Sequence, residues 1–221
     1  EKVCAVILRP IQGENGVILP PDNYLKKARA ICTEKKVLLV LDEVQVGMGR
    51  TGKLFAYEHY GIKPDIMTLS KALGGGIPCG AFLTTNKFAK YLSPGMHGTT
   101  LGGNPLAMSS GKAVLDTIMD EGLLDGTTSS GTYFLENLQR LKEKYKKKIK
   151  DVRSKGLILG MEFKKKETAK AVVEKCIQEG LLTILTTQKV MRILPPLNVK
   201  QKEIAQALKI IDKALLEVTD A

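Results

Sequence analysis

From Ala5 to about residue 120, short apolar runs alternate with helical stretches, and this alternation constrains the fold more than any other feature of the chain. AVIL, VLLVLD, DIMTLS and GAFLTT read as strands, while YLKKARAICTEKK and PLAMSSGKAVLDTIMDEG read as helices. The rhythm predicts an α/β fold, a largely parallel sheet covered by helices. After Gly122 the texture changes. A helix-poor patch, GTTSSG, leads into an amphipathic segment, YFLENLQRLKEKYKKKI. GLILGMEF, LLTILTT and VMRILPPL then read as strands, with TAKAVVEKCIQEG and KEIAQALKIIDKALLEV as helices. The expected organisation is therefore residues 1–122 as part of a large domain and 123–221 as a small α+β domain. EKVCAVILRP opens in the middle of an apparent core strand, which reads as part of a longer protein.

Composition removes several function classes. No run approaches the apolar length of a membrane helix, and the first residues resemble neither a signal nor a transit peptide. Cys4, Cys32, Cys79 and Cys176 show no CxxC spacing. They read as packed free thiols in a reducing compartment, the cytoplasm or an organelle matrix. His59 and His97 are the only imidazoles, too few for a zinc hydrolase. The formal charge of +11 raises the question of nucleic acid, but most of the excess lies between Arg140 and Lys170, with 13 basic against 4 acidic residues. KEKYKKKIK and FKKKE there read as a helix tail and a turn, without an aromatic platform. A solvated face is the expectation, with no nucleic acid and no membrane as partner.

Two strand ends carry the candidate chemistry. In IMTLSKALGGGIP, Lys71 stands just past an apolar run and the glycines follow it. A phosphate-binding P-loop needs its glycines before the lysine, so that backbone N–H groups wrap the phosphate. In VLLVLDEVQVGMGRTG the apolar run ends at Asp42 and Glu43, and glycines and Arg50 follow. An acid there could bind magnesium beside a P-loop, which is absent, or act as a helix N-cap or a paired surface acid. None of these explains a second strand ending in lysine. A carboxylate and an amine at neighbouring strand ends suit a pyridine aldehyde, because the carboxylate keeps a ring nitrogen protonated and the amine holds the aldehyde covalently. That is pyridoxal phosphate (PLP) chemistry.

LDEVQVGMGRTGKLFAYEHYGIKPDIMTLSKALGGGIPCGA, followed by PGMHGTTLGGNPLA, resembles the class III, fold-type I aminotransferases, nearest the acetylornithine and ornithine branch. RPIQGENG before it and VMRILPPL near the end extend the likeness over nearly the whole chain. The resemblance implies the later half of a large PLP-binding domain plus a small C-terminal domain. It makes Lys71 the lysine that holds the cofactor, Asp42 the partner of the ring nitrogen, Gln45 a neighbour of the phenolic oxygen and Val44 a contact on one ring face. Thr99 and Thr100 match residues that reach the cofactor phosphate of a neighbouring subunit, so a homodimer is implied. Glu14 matches an acid near the substrate pocket, and Arg192 an arginine associated with substrate carboxylate. The implied reaction moves the terminal amino group of N-acetylornithine, or a close ω-amino substrate, to 2-oxoglutarate in arginine biosynthesis.

Each residue also has a plainer reading: Lys71 as a surface lysine, Thr99 and Thr100 as turn formers, Glu14 as an exposed acid, and Arg192 as half of a structural ion pair. Three departures from the family pattern stand out. Arg9 occupies the position of the usual Glu before PIQGE, which reverses a charge beside the pocket. Leu101 replaces a common aromatic. The family's N-terminal half, with its phosphate turn, a stacking aromatic and a second carboxylate-binding arginine, has no counterpart in these residues. The rivals are a sister aminotransferase acting on ornithine, 4-aminobutyrate or succinyldiaminopimelate, and an inactive fragment serving as an assembly module.

Overall fold

The structure, a computed structural model, describes residues 3–219. They form two compact units. The first comprises residues up to Pro10, Pro20–Gly49 and Lys53–Gly122; the second comprises Ile11–Leu19, Arg50–Gly52 and the residues from Leu123 on.

In the first unit, β1 (Ala5–Leu8), β2 (Leu38–Asp42), β3 (Ile66–Leu69) and β4 (Ala81–Thr84) form one sheet in that order. β1, β2 and β3 are parallel, and β4 closes the sheet antiparallel. Helix α1 (Tyr24–Glu34) supplies the crossover from β1 to β2 and buries Leu25 and Cys32 against Leu39 and Leu41. Burial at this level stabilises by about 1.5–3 kcal/mol per large side chain. The β2–β3 register is pinned by Asp65, whose Oδ2 accepts the Leu39 N–H at 2.8 Å and Arg29 Nη1 at 2.7 Å. Helices cover the Leu39 and Leu41 face, whereas Ile7 is exposed on the other face. The single-turn α2 (Asn86–Ala89) and an exposed loop lead into α3 (Pro105–Asp120), which starts with Pro at its first position and Asn104 accepting the Ala107 N–H at 3.0 Å.

The second unit packs three helices on an antiparallel sheet. α4 (Leu123–Lys144), β5 (Ile149–Lys155), β6 (Ile158–Phe163), α5 (Lys166–Gln178), β7 (Ile184–Thr186), β8 (Val190–Ile193) and α6 (Gln201–Glu217) follow in sequence, with sheet order β5-β6-β8-β7. Phe134, Leu138, Leu159, Met161, Phe163, Val172 and Ile211 lie at the centre of its core.

Two sequence expectations change here. GTTSSG is part of α4, not a break before it. Thr127, Gly131, Phe134 and Leu138 recur at helical spacing on its buried face. A Cβ at Gly131 would stand 2.4 Å from the Gly156 carbonyl oxygen, so the helix can approach the β5–β6 turn only with glycine at that position. Low helix propensity is offset by close packing. KEKYKKKIK, read as a helix tail, leaves the helix at Lys144 and enters β5 at Ile149. Much of the basic stretch is paired within its own unit: Lys144 with Asp212, Lys142 with Asp151, Lys150 with Glu162, and Arg153 with both Asp151 and Glu162.

No helix among the described residues is long and apolar enough to cross a membrane, and no group of three or more His, Cys, Asp or Glu side chains could hold a metal ion. The four cysteines are free; Cys32 and Cys176 are buried and Cys4 is exposed. Burial pushes the Cys176 thiol up to about 11, which keeps it protonated and inert.

Candidate active site

Parallel pairing places Asp42 opposite Thr68, so Lys71 lies three residues beyond the partner of Asp42, at the same edge of the sheet. Lys71 opens the 3-10 turn Lys71–Gly74 in the left-handed region, at φ 49°. A non-glycine residue there costs roughly 1–2 kcal/mol, and strain of this kind clusters at functional sites. The surrounding turn is tightly held. Ser70 Oγ donates to the Cys79 carbonyl at 2.8 Å, the Leu73 N–H to the Ser70 carbonyl at 3.0 Å, and Ser110 Oγ of α3 to the Gly74 carbonyl at 2.7 Å. Gly75 is also left-handed, and a Cβ there would come within 2.8 Å of Val114 on α3. The glycines thus let α3 seat against the lysine's turn. The Lys71 ammonium is exposed and makes no hydrogen bond or ion pair among the described residues.

Asp42 is held from both sides. Its Oδ1 accepts the Val44 N–H at 3.0 Å, and its Oδ2 accepts Arg9 Nε at 2.9 Å. Val44 and Gln45 follow in the same turn, both partly buried. Glu43 points elsewhere and is buried. Its two oxygens accept the Ala56 and Tyr57 N–H groups at 2.9 and 2.8 Å, which caps the 3-10 helix Ala56–Tyr60 from a distance. Burial pushes the Glu43 carboxyl up to about 7, outweighing the two amide bonds that pull it down. Because this pKa is raised on folding, the stabilising contribution is complete below about pH 4.5 and is lost as pH rises through about 7. The loss amounts to about 3 kcal/mol. In thermal melts from pH 4.5 to 8, the wild-type protein is therefore expected to lose stability relative to Glu43→Gln. Parallel pH profiles would refute this.

Thr99 and Thr100 lie on the exposed loop before α3, and Thr99 Oγ1 accepts the Gly102 N–H at 3.1 Å. Neither is bonded to Lys71 or Asp42 among the described residues.

Glu14 and Arg192, 178 positions apart, meet in the second unit: Arg192 Nη1 donates to Glu14 Oε1 at 2.7 Å. Arg192 lies in β8 with 8% of its side chain exposed, and its Nε is buried with no partner. The segment bearing Glu14 is tied down by Arg153, which donates from Nη2 to the Gly16 carbonyl at 2.6 Å and from Nε to the Val17 carbonyl at 3.0 Å. Arg50 closes the neighbouring turn through the Leu157 and Pro195 carbonyls, at 3.0 and 2.5 Å; burial pushes its guanidinium down to about 10.

Sequence reasoning marked Arg9 as a charge reversal but did not find its partner. The signal was the parallel register: Leu8 pairs with Leu41, so the next residues, Arg9 and Asp42, stand side by side. The capping role of Glu43 had no sequence signal beyond its position.

A strained lysine and a fixed carboxylate at one edge of a mostly parallel sheet match the donor set that a pyridine aldehyde requires, an amine for the aldehyde and an anion for the ring nitrogen. Such a fold and strand-edge donor set are those of the fold-type I PLP-dependent enzymes. A model of the family "Aminotransferase class-III" matches residues 1–215. The acetylornithine aminotransferase of Caldanaerobacter subterraneus subsp. tengcongensis is 47% identical over 218 residues, covering 99% of this chain and 55% of that protein. The putrescine aminotransferase of Pectobacterium atrosepticum is 44% identical over 214 residues, covering 95% of this chain and 46% of that protein. The solved ornithine aminotransferase of Plasmodium yoelii superposes with a TM-score of 0.91 at 42% identity, covering 97% of this chain and 57% of that one. The chain belongs to the class-III aminotransferases, a PLP-dependent family, and spans about half the length of the curated relatives it matches.

Proposed function

We propose that the full-length protein moves the terminal amino group of N-acetylornithine, or of a close ω-amino substrate, to 2-oxoglutarate, and that it serves arginine biosynthesis as a cytoplasmic or organelle-matrix homodimer. The observation that carries this is the placement of Lys71 and Asp42 at adjacent strand ends. Acetylornithine aminotransferases at 41–47% identity support the donor. The putrescine and ornithine aminotransferases keep sister ω-amino substrates open.

PLP, when bound, supplies an aldehyde for the amino group and a ring that takes up an electron pair from the substrate carbon. Lys71 Nζ would hold the aldehyde until the substrate amino group displaces it, and the freed amine would then serve as the base and acid that moves the proton of the substrate carbon. Asp42 would keep the ring nitrogen protonated, and Val44 and Gln45 would flank the ring, as the family resemblance implies. Thr99 and Thr100 would hold the cofactor phosphate of the neighbouring subunit. Arg192 binds a carboxylate of the amino acid or of 2-oxoglutarate, and Glu14 holds its guanidinium until that carboxylate arrives. The unpartnered Arg192 Nε supports this role, since one donor of the fork remains to be satisfied.

The test assays the full-length protein with N-acetylornithine, ornithine, putrescine, 4-aminobutyrate and succinyldiaminopimelate against 2-oxoglutarate. The highest kcat/KM is expected for N-acetylornithine, and preference for another donor would reassign the substrate. In the same assay Arg192→Lys is expected to weaken 2-oxoglutarate binding by about 1.5–3 kcal/mol, the range for a charge-assisted hydrogen bond. A fall in melting temperature without a change in KM would make the Glu14 pair purely structural.

A further inference from the structure

Both oxygens of Asp42 already accept a bond from the chain itself, Oδ1 from Val44 and Oδ2 from Arg9. The Arg9 bond is not an accident of a long side chain on a surface. β1 and β2 run parallel with Leu8 opposite Leu41, and the next pair across the same two strands is Arg9 and Asp42. The Asp42 side chain is 24% exposed and that of Arg9 54%, so water screens the pair only in part. A guanidinium cannot give up its proton at any working pH, so the charge beside Asp42 is permanent. A cation faces the carboxylate here.

We propose that Arg9 tunes Asp42, its guanidinium sharing the carboxylate with the cofactor's ring nitrogen and loosening the hold of Asp42 on the ring proton. This rests on Asp42 as the partner of that nitrogen. Two effects act in one direction. A hydrogen bond and a positive charge on Oδ2 reduce the negative charge that Asp42 can offer a second donor. The guanidinium and a protonated ring also repel each other as like charges. A glutamate in place of Arg9 would reverse both effects. Arg9 is thus a positioning and tuning residue, acting through Asp42 and not on the substrate.

The experiment loads the full-length protein with PLP labelled with ¹⁵N in the ring, at one fixed pH, in wild type, Arg9→Gln and Asp42→Asn. The ring ¹⁵N resonance reports protonation, and the PLP dissociation constant is measured alongside it. Arg9→Gln is expected to move the resonance toward the protonated position and to tighten PLP about two- to fivefold, the scale of a partly exposed ion pair. Asp42→Asn is expected to move it the opposite way. If Asp42→Asn shifts the signal while Arg9→Gln leaves it unmoved, or moves it toward the unprotonated position, Arg9 is uncoupled and the inference falls while Asp42 keeps its role. If Asp42→Asn leaves the signal where it was, both fall together.

Discussion

Lys71→Ala in the full-length protein is expected to lower turnover by at least about 10²–10⁴-fold, the range for loss of a positioned acid–base group. The variant loses two services at once, the amine that holds the aldehyde and the base that moves the substrate proton. Neither Ala72 nor Ser70, the residues beside it, carries an amine to replace them. Borohydride reduction of the PLP-loaded wild type should fix the cofactor mass on the peptide containing Lys71, and the variant should show no such label. Label on the lysines between residues 140 and 170 would remove Lys71 from the site. Because Lys71 holds a strained left-handed conformation, Lys71→Gly serves as a control for the backbone. It should lose activity as Lys71→Ala does while melting no lower than that variant.

Asp42→Ala is expected to lower kcat by on the order of 10²–10³-fold, the scale for removal of one group that stabilises developing charge. Covalent attachment of the cofactor to Lys71 should persist, because the aldehyde is held by the amine and not by the carboxylate. The combination of retained label and lost turnover separates Asp42 from a residue that merely maintains the fold. Removing Asp42 also leaves Arg9 facing a site with no anion, so adding Arg9→Gln to Asp42→Ala should lower turnover no further. Unchanged turnover in Asp42→Ala would withdraw its role.

The elements that position the cofactor residues were legible from local pattern alone. An apolar run such as VLLVLD or DIMTLS, followed by glycine, declares a strand and its end without reference to the rest of the chain. What stayed illegible depends on neighbours distant in sequence. β5 carries Lys150, which pairs with Glu162, and Arg153, which pairs with Asp151 and reaches the Gly16 and Val17 carbonyls; read locally, Lys150 continues a basic helix. GTTSSG reads as a break until Gly156 is seen against Gly131. The Glu14–Arg192 and Arg9–Asp42 pairs span 178 and 33 positions, and no spacing rule connects residues whose meeting is decided by strand order. The motif resemblance named Arg192 and Glu14 separately, and the structure adds that they bond to each other.

The second unit is built from three separate stretches of chain, and this governs the order in which it can be completed. Its Gly16–Arg153 and Glu14–Arg192 bonds close over 137 and 178 residues. As the polypeptide leaves the ribosome, Glu14, Gly16 and Arg50 are made early and must wait for β5 and β8. Until then Arg153 and Arg192 do not exist to receive them. Loop closure over such spans costs only a little more than over half the length, but contacts so remote in sequence are slow to find. A gene segment encoding only residues 123–221 would carry Arg192 and Arg153 into the product without the Glu14 carboxylate and the Gly16 and Val17 carbonyls they bind. The unit is thus an interleaved whole, and exchange between genes at the Gly122 boundary would separate Arg153 and Arg192 from these partners.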